Sequence, residues 1–174
     1  PSLEADLVGQ GKAEYLPPSL GDVAISDANF ASWSMPLGNG DASIAQSTVK
    51  GYAARVKTNG AAASLGYVLA RRSIEPISFS ADDVIQFYVF CEHGNNSRRW
   101  RATFATDSAY ANKLMFDGFV GSLKPGHNLI SCKLAAGTYG GTGASTDIWK
   151  YLELSFTGPT YQTDLWFHVG PVYV

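Results

Sequence analysis

From residue 44 to Val174 the chain is a series of short runs rich in aromatic and β-branched residues, each closed by Gly, Asn, Asp or Pro. No stretch repeats apolar residues at helical spacing for long enough to make a helix, so the pattern predicts an all-β protein. Strands are expected over residues 30–35, 42–49, 51–57, 65–71, 84–92, 99–106, 113–120, 127–134, 148–157 and 164–174. Turns are written between them as Gly38-Asn39-Gly40-Asp41, Asn59-Gly60, His93-Gly94-Asn95-Asn96, Lys124-Pro125-Gly126 and Gly140-Gly141-Thr142-Gly143. Residues 108–112 read as one helical turn. Ten strands with such connections predict a two-sheet antiparallel β-sandwich of the jelly-roll kind, with a barrel as the competing architecture.

A chain of 174 residues fits one domain. Only 16% of its residues are charged while 45% are hydrophobic, which leaves Ser, Thr, Asn, Gly and aromatic residues to cover much of the surface. Such a surface suits sugars or another protein chain. It does not suit nucleic acid, because 13 Lys and Arg against 15 Asp and Glu leave no basic excess. No apolar run is long enough to cross a bilayer, so no membrane partner is expected. Residues 1–22, with Pro17-Pro18 and scattered Gly, read as a lead-in, linker or arm, and the sandwich module is expected over 23–174. The chain opens on Pro1, which points to a module of a longer protein. Cys91 and Cys132 both fall inside expected strands and read as two buried thiols, with a bridge between them as the alternative.

Alternation along residues 148–157 places Ile148, Leu152, Leu154 and Phe156 on one face and Trp149, Tyr151, Glu153 and Ser155 on the other. Trp149 and Tyr151 are therefore expected to project outward beside a carboxylate. Such a platform grips a pyranose, ring C–H groups packing on the indole while hydroxyls bond Glu153. The competing reading buries the pair under a loop or an oligomer interface. Residues 84–92 are apolar on both sides: Tyr88 and Phe90 lie between Gln86 and Glu92 on the face opposite Ile85, Phe87, Val89 and Cys91. One sheet face is thus expected to be covered, most simply by another chain.

The following loop gathers His93, Asn95, Arg98 and Arg99, donors suited to sugar hydroxyls and to the carboxylates of acidic sugars. Trp100 reads as core with Ala102 and Phe104. Tyr139 sits in a glycine-rich loop, 137–143, able to close over a ligand at the end of the sandwich. Enzyme signatures are missing. His93, His127 and His168 lack metal-ligand spacing, no Gly-x-Ser-x-Gly elbow occurs, and Glu92 with Glu153 is the one carboxylate pair worth testing for glycosidic cleavage.

Beyond Phe79 the chain reads SADDVIQFYVF, WRATFATDSAYANK, LKPGHNLISCKL, STDIWKYLELSF and DLWFHVGPVYV. This order resembles the jelly-roll carbohydrate-binding modules appended to polysaccharide-acting enzymes and to bacteriophage tail spikes, and the resemblance covers residues 23–174. It implies a non-catalytic polysaccharide- or oligosaccharide-binding accessory module, extracellular or virion-associated, and a homotrimer as in tail-spike modules. A trimerisation module without a ligand, and a small polysaccharide lyase or hydrolase, are the alternatives. No cofactor is expected. The resemblance implies a structural calcium ion as an option, for which Asp27, Asn29 and Asp164 would be the oxygen donors.

Overall fold

The computed structural model describes residues 24–26, 30–35, 43–58, 67–92, 99–118, 124–157 and 165–174. Eleven strands occupy them: β1 (Ala24–Ser26), β2 (Ser43–Gln46), β3 (Ala54–Thr58), β4 (Tyr67–Ile77), β5 (Val84–Cys91), β6 (Arg99–Ala105), β7 (Lys113–Gly118), β8 (Gly126–Lys133), β9 (Thr138–Gly140), β10 (Trp149–Thr157) and β11 (Leu165–Tyr173). The two sheets run in the orders β2-β3-β11-β5-β8, with β1 also on β11, and β4-β10-β6-β7-β9. All pairings are antiparallel.

The sequence of strands crosses between sheets so that β3, β11, β5 and β8 face β4, β10, β6 and β7, which is jelly-roll connectivity. The expected sandwich is the fold found. β4 reaches Ile77, six residues beyond its expected end, and holds Pro76. It can do so because it is the border strand of its sheet, where a missing N–H breaks no interior ladder.

Inward residues of both sheets interlock. Phe87 meets Trp100 edge-on at 5.8 Å between centroids, and Phe156 stacks on Phe167 at 4.7 Å. Trp100 is core, as its alternation with Ala102 and Phe104 implies. Cys91 and Cys132 are buried, free thiols. Cys91 lies opposite Gly126 and Cys132 opposite Ile85, six residues apart along the ladder and roughly 20 Å, too far to bridge.

The expected strand over residues 30–35 is instead a single 3-10 turn at Phe30–Ser32, followed by a lone bridge from Ser34 to Arg71. Three further local expectations are corrected. Tyr139 lies not in an open loop but in the short strand β9, paired with β7. Residues 108–112 form a turn, not a helical one, and Tyr110 takes a left-handed φ of 57°. The third correction concerns Trp149, which is 1% exposed within the hydrophobic core, whereas Ile148 is 53% exposed. The physical reason is a register slip between Trp149 and Tyr151: Trp149 pairs with Ile77 but Tyr151 with Ser73. Across such an irregularity the two-residue alternation loses its phase, so Trp149 and Leu152 both turn inward.

Candidate functional site

A solvent-facing row of a sandwich is ordinarily polar and loosely held. The outer face of the first sheet is polar but tightly held. Arg55 on β3, His168 on β11, Phe90 on β5 and His127 on β8 are direct cross-strand neighbours. Glu92, just past β5, accepts from Arg55 Nε at 2.9 Å and from Nη2 at 3.2 Å, a two-pronged pair about a quarter exposed on each side.

His168 has no exposed surface. Its Nε2 lies 2.7 Å from Glu92 Oε1 and its Nδ1 lies 2.8 Å from Ser47 Oγ. Burial is the largest influence on this imidazole and lowers its pKa; Glu92 pulls it back up and Arg55 adds to the lowering. A neutral ring beside a carboxylate must carry its proton on Nε2, so Nδ1 accepts from the Ser47 hydroxyl.

Tyr52 completes the cluster. It is buried, its OH lies 2.7 Å from His127 Nδ1, and its ring packs against Phe90, His127 and His168 at 6.2, 5.7 and 6.4 Å. Phe90 sits edge-on to both imidazoles, at 4.9 Å and 5.4 Å. Burial also lowers the His127 pKa. Phe90, His127, Arg55, Glu92 and Ser47 keep part of their surface open.

Local sequence explains how these groups are aimed. Ser47 closes the turn after β2, its Oγ lying 3.0 Å from both the Val49 N–H and the Val49 carbonyl. Gly126, at φ +88°, makes the turn before His127. Asn128 then locks that turn: its Oδ1 accepts from Lys124 N–H at 2.8 Å and its Nδ2 reaches the Lys124 and Gly126 carbonyls at 2.9 and 3.0 Å. The expected cover over the apolar outer side of β5 is thus supplied in part by the chain's own Tyr52.

The second sheet's outer face holds two of the expected site residues. Tyr151 is half-buried and Glu153 is buried, ion-paired with Arg71 on the neighbouring strand. Tyr139, 38% exposed, stacks on Trp149 and covers it, so the indole is a floor and not a platform. His93, Asn95 and Arg98 lie outside the described residues, as do the calcium candidates Asp27, Asn29 and Asp164; of Arg99 only the backbone is described. Among the described residues no group of His, Cys, Asp and Glu is arranged to hold a metal, and no helix is long and apolar enough to cross a membrane.

Comparison with known proteins agrees with the architecture. No family model matches the sequence, and no curated protein matches it. Among solved structures, a family 11 carbohydrate-binding module from Clostridium thermocellum, in complex with a β-1,3-1,4-mixed-linked tetrasaccharide, superimposes with a TM-score of 0.57. It is 13% identical, and the match covers 88% of this chain and 96% of that one. The family 11 module of a cellulosomal cellulase from the same organism gives 0.54 at 11% identity, covering 88% of this chain and 94% of that one. An agarase gives 0.52 at 11% identity, this chain spanning 24% of its length. The fold is therefore a jelly-roll β-sandwich of the carbohydrate-binding-module type.

Proposed function

We propose that the chain is a carbohydrate-binding module, an extracellular accessory unit of a larger polysaccharide-acting protein, and that the outer face of the first sheet is a saccharide site. The observation that carries this reading is the Arg55–Glu92–Phe90–His127 row. It places fixed hydrogen-bonding groups beside partly open ring faces, the pairing of surfaces that a pyranose presents in its hydroxyls and C–H groups. Ser47, His168 and Tyr52 act beneath it as positioning residues. The likeness to carbohydrate-binding modules in fold supports the reading.

Affinity electrophoresis through gels containing mixed-linked β-glucan, xyloglucan or galactan tests it. Phe90→Ala and Glu92→Gln are each expected to abolish retardation in the gel that slows the parent protein, with folding checked by circular dichroism. Retardation that survives both substitutions would move the site elsewhere.

A second reading, ester hydrolysis, is favoured by one observation: Ser47, His168 and Glu92 form a hydroxyl–imidazole–carboxylate chain. Against it, Ser47 Oγ is engaged by its own turn and the imidazole is fully enclosed. Hydrolysis of p-nitrophenyl acetate that disappears in Ser47→Ala would establish it.

A further inference from the structure

The face opposite that site carries unused binding groups. The turn between β6 and β7 folds back over the second sheet and drives Tyr110 into the left-handed region, at φ 57°. For a bulky aromatic residue this backbone is costly and persists only where the surroundings hold it. Asp107 does so: its carbonyl accepts from the Tyr110 N–H at 3.1 Å and its Oδ1 from the Ala109 N–H at 2.8 Å.

The conformation lays the Tyr110 ring under the Arg71 guanidinium, 4.2 Å from its centre, and 6.3 Å from the Tyr151 ring. Tyr110 is 8% exposed, and its OH is buried with no hydrogen-bond partner among the described residues. Burial, and then the charge of Glu153, raises its pKa, so the phenol keeps its proton and stays a donor. Arg71 gives Nε to Glu153 Oε2. Among the described residues nothing accepts from its Nη1 or Nη2, and nothing donates to Glu153 Oε1. A guanidinium edge and a carboxylate oxygen, neither with a further partner among the described residues, therefore flank the half-buried Tyr151 ring, with the Tyr110 ring packed on the guanidinium.

We propose that Arg71, Tyr151 and Glu153, with Tyr110 positioning the guanidinium, form a second saccharide site, specific for neutral sugars, on the opposite side of the sandwich from the first. Adjacent hydroxyls of a pyranose accept from Arg71 Nη and donate to Glu153 Oε1, while the sugar ring lies against Tyr151. An acidic sugar is disfavoured, because the Arg71 charge is already matched by Glu153 and a uronate would meet that carboxylate. Arg101 is matched by Asp117 on the same face in the same way. Two sites on opposite faces let one module bridge two glycan chains, or hold a surface with greater avidity than either site alone.

Nitrogen–proton NMR of the side chains tests this, the Arg71 Nε–H reporting on the second face and the His127 imidazole on the first. The probes are a β-1,3-1,4-mixed-linked glucan tetrasaccharide, β-1,4-galactotriose and trigalacturonate, each titrated into the millimolar range. A neutral probe is expected to move the Arg71 Nε–H signal. Glu153→Gln is expected to weaken that response about tenfold, the loss of one charge-assisted bond. Tyr151→Ala is expected to abolish it while any His127 response stays.

An Arg71 signal unmoved by both neutral probes, or moved at lower concentration by trigalacturonate, overturns the proposal. Movement at Arg71 alone leaves this site standing and removes the first. Movement at His127 alone does the reverse.

Discussion

The phenol oxygen of Tyr52 lies 2.7 Å from Nδ1 of His127, although 75 residues separate the two in sequence. This contact joins the turn before β3 to the border strand β8 across β11 and β5. Tyr52→Phe keeps the ring packing and removes the bond, so it is expected to cost about 1 kcal/mol. Chemical denaturation measures it. An unchanged midpoint would mean that the bond contributes nothing net.

The two imidazoles make stability depend on pH in a defined direction. Both His127 and His168 have folded pKa values lowered from 6.5, chiefly by burial. The unfolded chain therefore binds more protons than the folded one between 6.5 and the lower folded values. Stability is fully present above 6.5 and falls as pH drops through that value, levelling once the folded rings are also protonated. Urea midpoints measured from about pH 8 to about pH 5 are expected to decline with acid. The slope should be shallower in His168→Gln. A midpoint that rises with acid would contradict the assignment.

What was legible in the sequence follows from how far each signal reaches. Gly126–Lys133 alternates along the strand, and Val84–Cys91 does so except at Tyr88, so strands and core follow from period two. The first-sheet site was not legible in that way. Tyr52 shares the parity of Ala54 and Val56, which are core, yet it precedes the strand, where alternation does not apply, and it packs on the outer face. Ser47, Glu92 and His168 meet across separations of 76 and 121 residues. The isolated signal was the outer side of β5, whose Tyr88 and Phe90 are too apolar for solvent. At Trp149 the alternation was read through a register slip that no residue type announces.

Trp149 is a core residue, so its replacement is a stability experiment and not a binding one. Trp149→Ala removes the largest fully buried side chain among the described residues and the floor under Tyr139, which is expected to cost about 3–5 kcal/mol. A lowered thermal midpoint checks this directly. A variant of parent-like stability that has lost glycan binding would instead restore the indole to the ligand face.

Gly170 gives the sharpest control over the first site, because it lies at the register slip of β11 between Val169 and Val172. A Cβ there would come within 3.2 Å of the Tyr88 carbonyl oxygen and 3.5 Å of Tyr52 Cδ1. Ala is therefore tight, and the branched methyls of Val must push Tyr52 off the sheet at a cost of about 1–3 kcal/mol. With Tyr52 displaced, water reaches His127 and the burial that lowers its pKa is relieved. NMR titration of Gly170→Val is expected to show His127 protonating closer to 6.5 than in the parent protein. An unchanged His127 titration in a destabilised Gly170→Val would mean that Tyr52 does not shield the imidazole, and the cluster could not then be one preorganised surface.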